Sequence, residues 1–312
     1  MLRALYVDLD GTLVGRGGSL FHDYDGAFTM LGARALEACA RAGVEVVIVT
    51  GRRQGGVWEV MRLIGQRSYI FELGCGLVAD GELQWLTGDC VPSPERGSIY
   101  DQIAASGGPE LLLSAFAGRL EYHTPWSQDR EVSHLFRGDL SVREADALLG
   151  EAGLGWLRLV DNGLLAAHGP VGPAAGWGIS GERVHAYHLI PAVAPKARAV
   201  AWHMRMRGYT VNECIACGDS REDLEMAASV GSFWLVANAA ETDPELLAEA
   251  RARANVRVSG ERCGAGVYEA VVTTLTDRSC GCAGSVFRLF FGLLAGFGGV
   301  WLVATCSGER AR

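Results

Sequence analysis

Residues Leu2 to Val14 limit what this chain can fold into more than any other stretch. An apolar run (Leu2, Ala4, Leu5, Tyr6, Val7) leads directly into Asp8-Leu9-Asp10-Gly11-Thr12. An apolar run of this length broken by glycine reads as a buried strand of a parallel sheet. The two carboxylates then lie at a strand's carboxyl end, where open α/β sheets bind ligands. Like charges this close are unfavourable unless one is protonated or a cation lies between them. Mg²⁺ is hard, takes oxygen ligands, and typically combines one or two carboxylates with substrate phosphate. The competing reading is a strand followed by an Asp-Gly turn with solvated acids.

The arrangement recurs along the chain. Leu31 to Ala42 places Leu31, Ala35, Leu36, Cys39 and Ala42 on one helical face, with Gly43 as the stop. Val44 to Val49 is a second buried strand that runs into Thr50-Gly51-Arg52, and Tyr69-Ile70-Phe71 is a third. The Gly-rich polar stretch Gly15 to Asp25 reads as a flap beside the first loop. From about Leu83 the pattern changes to short alternating segments (Leu120 to His123, Trp156 to Val160) mixed with helices near 99–105 and 142–150. The β/α alternation returns at Val184, Pro195-Lys196 opens a helix to about Arg207, and Glu213 to Cys217 runs into Gly218-Asp219-Ser220-Arg221-Glu222-Asp223. The expected architecture is α/β. A doubly wound, Rossmann-like parallel sheet is built from residues 1–85 and 186–276, with an α+β domain inserted at 86–185 and a tail at 277–312.

A net charge of -8 argues against a nucleic-acid partner. The nine cysteines are odd in number and scattered, which reads as reduced thiols and a cytoplasmic setting. Met1 leads straight into the first strand, so no secretory leader is expected. The tail differs from the rest. Leu289 to Cys306 carries no charge and has the length at which a transmembrane helix becomes feasible. A helix docked on the core and a non-native extension are the other readings. Membrane association through this segment is therefore an open expectation, and the oligomeric state is not assigned.

Four polar clusters follow strands or open a helix, in order: Asp8/Asp10, Thr50/Arg52, Lys196, and Asp219/Asp223. This set resembles the haloacid dehalogenase (HAD) superfamily of phosphatases. The insertion between the second and third clusters is similar to the type IIB cap of the branch containing sugar phosphatases, phosphoglycolate phosphatases and mannosylglycerate-type phosphatases. The resemblance implies a Mg²⁺-dependent phosphatase acting on a small phosphorylated metabolite, either a sugar phosphate or a phosphoglycerate or phosphoglycolate derivative. It implies Asp8 as the nucleophile that becomes an aspartyl-phosphate. Asp10 would be the general acid and then base, with its backbone carbonyl on the metal. Asp8 and Asp219 would be carboxylate ligands of the metal, Asp223 a further ligand or the holder of a metal-bound water, and Thr50, Gly51, Arg52 and Lys196 would hold the phosphoryl group. Glu222 stands where many relatives of this branch carry Asn; the added charge would face solvent or tighten the metal site. In the insertion, His123, Arg130 and Asn162 are candidate substrate contacts, with Trp126 and His134 beside them. Cys214 and Cys217 read as packing residues of a buried strand. A phosphomutase of the same superfamily, a phospho-acceptor domain and a tethered binding protein are the alternative functions.

Overall fold

The computed structural model describes residues 1–165, 177–179 and 183–280. The apolar segment 289–306 lies outside the described residues, and among those described no helix is long and apolar enough to cross a membrane.

In chain order the strands are β1 (Ala4–Val7), β2 (Glu45–Val49), β3 (Ser68–Phe71), β4 (Gly76–Ala79), β5 (Glu82–Trp85), β6 (Leu120–Tyr122), β7 (His134–Gly138), β8 (Leu157–Leu164), β9 (His185–Pro191), β10 (Cys214–Gly218), β11 (Ser232–Leu235) and β12 (Val256–Val258). They form an eight-stranded sheet in the order β12-β11-β10-β1-β2-β3-β4-β5 and a four-stranded sheet in the order β6-β7-β9-β8. The larger sheet is parallel from β12 to β3 and antiparallel through β4 and β5. The smaller sheet is wholly antiparallel. The doubly wound core and the inserted α+β unit expected from the chain are both present.

The helices are α1 (Leu31–Ala42), α2 (Gln54–Ile64), α3 (Ile99–Ala105), α4 (Gly108–Ala115), α5 (Val142–Glu151), α6 (Lys196–Arg207), α7 (Arg221–Leu224), α8 (Ala237–Thr242), α9 (Pro244–Arg251) and α10 (Cys263–Cys280). Residues of α1, α2 and α10 (Ala35, Cys39, Val57, Met61, Val267, Val271) share one apolar core with β1 and β2. Residues of α6 and α9 (Val200, Met204, Leu246, Ala250) share the core on the other face. A third core packs Ile103, Leu112 and Leu149 of α3, α4 and α5 on Phe136, Leu159 and Leu189 of the small sheet. Each layer buries the apolar stripe of an amphipathic helix against strands that are themselves apolar.

Two parts differ from expectation. Residues 186–191, assigned to the parallel core, lie in β9, which pairs with β7 and β8 in the small sheet. β9 is buried along almost its whole length, so its composition matches that of a core parallel strand although it is an inner strand of the cap. The antiparallel extension β4–β5 is the second difference, because two four-residue strands joined by a tight turn carry almost no periodic signal. Where α1 meets α10 the backbones nearly touch: a Cβ on Gly264 would sit 2.8 Å from Gly32 Cα and 2.9 Å from the Leu13 carbonyl oxygen. These are backbone atoms that cannot yield. Gly264→Ala is therefore expected to lower the unfolding free energy by about 1–3 kcal/mol. Gly150→Ala, within α5 where nothing lies within 4 Å of the added carbon, is expected to raise it by up to about 1 kcal/mol. Urea unfolding of the two variants checks both signs.

Candidate active site

β1 is paired with β2 on one side and β10 on the other, so the chain departs from the middle of the sheet in both directions. That is the topology that opens a crevice at the strand ends. Val7 is in register with Ile48 and Cys217, so the residues that follow these strands (Asp8, Thr50, Asp219) emerge along one edge. Lys196, the first residue of α6, is brought against them. Its ammonium is fully buried and lies 2.8 Å from Asp8 Oδ1 and 2.6 Å from Asp223 Oδ1.

The Asp219 loop is built by a capping box. Ser220 Oγ accepts from the Asp223 backbone N–H at 3.2 Å, while Asp223 Oδ2 accepts from the backbone N–H of Asp219 and of Ser220 and from the Ser220 hydroxyl. One carboxylate oxygen of Asp223 thus closes the turn and the other faces Lys196. Thr12 Oγ1 donates to Asp219 Oδ1 at 3.2 Å. Gly11 adopts φ +82°, and a Cβ there would overlap the Asp219 carboxylate, so both the backbone conformation and the close approach require glycine. Asn238 steadies the same loop by donating to the Gly11 carbonyl at 2.9 Å while its own oxygen accepts from the Cys263 backbone N–H.

Asp8, Asp219 and Asp223 bring ligand oxygens within 4.8 Å of one another. Burial pushes the Asp8 carboxyl up to about 7, Lys196 pulling it down and Asp223 pushing it further up. Asp219 is driven well above the usual carboxylate range by burial and by Asp8 and Asp223. Burial opposes the charge on Lys196, but Asp223 and Asp8 outweigh it and hold the ammonium protonated. With all three acids ionised, one ammonium leaves two negative charges uncompensated. A hard divalent cation fits both the donor set and that residual charge.

Known proteins share this fold and, over part of the chain, a family signature. The family model of Sucrose-6F-phosphate phosphohydrolase matches residues 184–273. A phosphoglycolate phosphatase of Pyrobaculum neutrophilum is 28% identical over 278 residues, covering 89% of this chain and 98% of the relative. The sucrose-phosphatase of Synechocystis, solved with sucrose and phosphate, superposes with a TM-score of 0.60 at 16% identity, covering 88% of this chain and 98% of that one. A haloalkanoate (HAD) superfamily phosphatase of Bacteroides thetaiotaomicron superposes with a TM-score of 0.57 at 16% identity over 88% and 95% of the two chains. By these matches the chain is similar to phosphatases of the HAD superfamily, type IIB branch, and shares their fold.

The other expected site residues take varied positions. Thr50 is buried at the end of β2, its Oγ1 accepting from the Arg52 backbone N–H at 3.2 Å. Arg52, expected on the phosphoryl group, holds Asp10 in a two-pronged ion pair (Nε to Oδ2 2.7 Å, Nη2 to Oδ1 2.5 Å). Arg130, a candidate substrate contact, is buried against Glu72 and donates to the Gly51 carbonyl at 2.5 Å. His134 faces the cap core, between Tyr122 Oη and the Tyr100 carbonyl. His123 stacks on Trp126, and burial together with Arg137 and Arg130 pushes its imidazole down to about 4. Asn162 reaches Gly51: its Nδ2 would lie 3.0 Å from a Cβ there. Glu222 neither faces solvent nor joins the acid cluster. It accepts from Arg158 Nη2 at 2.8 Å and from the Lys196 backbone N–H at 3.2 Å, tying β8 of the cap to the start of α6. A cleft lined by Asp161, Gly163, His185, Arg221 and Thr242 reaches Asp219 from the side of α8 and α9.

Sequence reasoning missed Asn238, Glu72 and His188. Asn238 follows β11 and was open to the strand-end argument that found the others. Glu72 and His188 act through contacts distant in sequence that no local pattern encodes.

Lys196 is fully buried and, among the described residues, is the cation that bonds both Asp8 and Asp223, so Lys196→Met is expected to cost about 3–5 kcal/mol near pH 8 in the absence of divalent metal. The cost should shrink toward pH 6. Asp8 and Asp219 have native pKa values above the unfolded value of about 3.9, so their neutral forms favour the fold at low pH, and that contribution is lost as pH rises through about 7. Denaturant titration of the variant at both pH values in chelator checks the sign.

Proposed function

We propose that this enzyme is a Mg²⁺-dependent phosphatase that hydrolyses the phosphate monoester of a small metabolite through an aspartyl-phosphate on Asp8. The observation that carries the reading is the buried cluster of Asp8, Asp219, Asp223 and Lys196 at the strand ends, with two negative charges left to neutralise. A phosphate monoester repels an attacking carboxylate, and Mg²⁺ held by these acids would offset that repulsion and favour charge in the transition state.

Lys196 pins Asp8 Oδ1, which leaves Oδ2 free to attack phosphorus. As the Asp8–phosphorus bond forms, the bond from phosphorus to the alcohol oxygen breaks, and Asp10 supplies the proton that the leaving oxygen takes. Water then attacks the phosphoryl group, Asp10 takes its proton, and the Asp8 carboxylate is released. Arg52 grips Asp10 in a two-pronged ion pair, so the acid step needs Arg52 to turn toward the phosphoryl oxygens. Thr50 Oγ1, the Gly51 loop and Lys196 complete the cradle, since transfer of this kind is largely positioning and electrostatics.

Charge pairing favours one substrate class. Among the described residues, the guanidinium groups nearest Gly51 and Lys196 (Arg52, Arg130 and Arg158) each already face a carboxylate (Asp10, Glu72, Glu222), while Arg183 and Arg221 line the cleft that reaches Asp219 from the other side. The cap groups left to meet a leaving group near Gly51 are neutral: Asn162 and His188. This pattern suits a hydroxylated leaving group, as in a sugar or polyol phosphate, better than a carboxylate. The sucrose-phosphatase and phosphoglycolate phosphatase relatives stand on either side of that choice.

Phosphate release from glucose and fructose monophosphates, glycerol phosphate and phosphoglycolate, with and without Mg²⁺, tests the reading. Turnover should require Mg²⁺, favour the sugar and polyol phosphates by roughly tenfold or more in kcat/KM, and fall by about 10⁴ in Asp8→Asn. Turnover that persists in Asp8→Asn would refute the nucleophile, and dependence on an added bisphosphate would indicate a mutase.

A further inference from the structure

The cap rests on the phosphate loop through a line of hydrogen bonds whose directions can all be assigned. The line starts at Glu72, in the turn after β3, where Glu72 and Leu73 hold φ values of 43° and 60°. Non-glycine residues adopt such values at a cost, and here the cost directs a fully buried carboxylate at the cap. Glu72 Oε1 accepts from the backbone N–H of Glu131 (2.8 Å) and Val132 (3.3 Å), and Oε2 accepts from Ser133 N–H (2.5 Å) and lies 3.5 Å from Arg130 Nε. Both carboxylate oxygens are therefore occupied.

Arg130 donates from Nη2 to the Gly51 carbonyl and from Nε to Ser133 Oγ at 2.8 Å. A guanidinium cannot accept, so Ser133 Oγ is the acceptor there and its own proton is free for its remaining partner, His188 Nδ1, at 3.0 Å. Burial, with Arg130 and Lys196 nearby, holds the His188 imidazole well below its ordinary pKa and hence neutral. A neutral imidazole that accepts at Nδ1 carries its proton on Nε2. That nitrogen lies 3.2 Å from where a Cβ on Gly51 would be, and Asn162 Nδ2 lies 3.0 Å from the same point. Gly51 has no side chain to fill this space. Neither Asn162 Nδ2 nor His188 Nε2 has a hydrogen-bond partner among the described residues.

We propose that His188 Nε2–H and the Asn162 amide form the pair through which the cap reads the leaving alcohol, hydrogen-bonding an oxygen of that alcohol close to the phosphoester, and that Glu72, Arg130 and Ser133 are positioning residues that set the His188 tautomer and seat the pair over Gly51. The proposal rests on the phosphatase reading and adds a substrate feature to it: an oxygen on the leaving group near the ester. His188 acts as a neutral donor and exchanges no proton with substrate.

Two measurements on the full chain test it. In protein labelled with ¹⁵N-histidine, the ring nitrogen shifts of His188 should report the Nε2–H tautomer in the wild type, and Ser133→Ala should release that preference; an Nδ1–H tautomer in the wild type would overturn the proposal. In Mg²⁺-supported kinetics, His188→Leu should lose about tenfold to a hundredfold in kcat/KM on the best of the sugar and polyol phosphates named above, the worth of one buried hydrogen bond. It should lose less than about threefold on p-nitrophenyl phosphate, whose leaving group has no such oxygen near the ester. His188→Gln, which still presents an N–H, should recover much of the loss. Equal losses on both kinds of substrate, or no loss on either, would overturn the proposal. Absence of turnover by the wild type on every compound would instead remove the phosphatase reading, and the pair with it.

Discussion

Three clustered carboxylates beside one buried ammonium, two of them buried and Asp219 half-buried, are the constraint on which the rest of this structure depends. Two like charges at a strand end repel, and burial strengthens the repulsion because water no longer screens it. The fold tolerates the arrangement because each acid is tied elsewhere. Asp8 and Asp223 share Lys196, Asp223 also caps its own turn, and Asp219 takes a bond from Thr12. With all three acids ionised, the protein's own groups would leave a charge of two uncompensated. That residual negative charge is the physical basis for proposing a divalent cation at the site. Its location follows from topology, since only where β1 is paired with β2 and β10 can Asp8, Thr50 and Asp219 emerge side by side.

The cap is held to the core by two ion pairs that use core carboxylates to reach cap arginines: Glu72 with Arg130 and Glu222 with Arg158. Both end beside elements of the proposed site, the first on the Gly51 carbonyl and the second on the backbone N–H of Lys196. Buried pairs of this kind are poor sources of net stability but strong sources of geometric definition, because breaking one strands its partner. The same groups that seat the cap therefore orient the phosphate loop and the start of α6. Glu222 illustrates the point: its charge is spent on orientation and adds nothing to the acid cluster.

The parts of the fold that were legible in the sequence are those encoded locally. The apolar runs at Leu2–Val7, Val44–Val49 and Glu213–Cys217 each end in polar residues, and the helices Leu31–Ala42 and Lys196–Arg207 coincide with their observed bounds. The segment 186–191 misled because an inner strand of a cap, with helices on one side and the core on the other, is as apolar as a parallel core strand. The burial of Arg130 was not legible in the sequence, because its partner lies 58 positions away at Glu72. Asn162 was singled out without a geometric reason, and its approach to Gly51 supplies one. His188 was invisible because its significance lies in Ser133, Arg130 and Gly51, none of them near it in sequence.

Calorimetric titration of the metal-free enzyme with Mg²⁺ near pH 7, in two buffers of different ionisation enthalpy, tests the central claim most directly. The buried acids hold protons in the free state, with Asp8 pushed up to about 7 and Asp219 well above its usual range, and a hard cation binds the ionised forms. The account predicts saturable binding with net proton release near pH 7 that diminishes as pH rises, and loss of that binding in Asp219→Asn. Binding without proton release, or binding that survives Asp219→Asn unchanged, would contradict it.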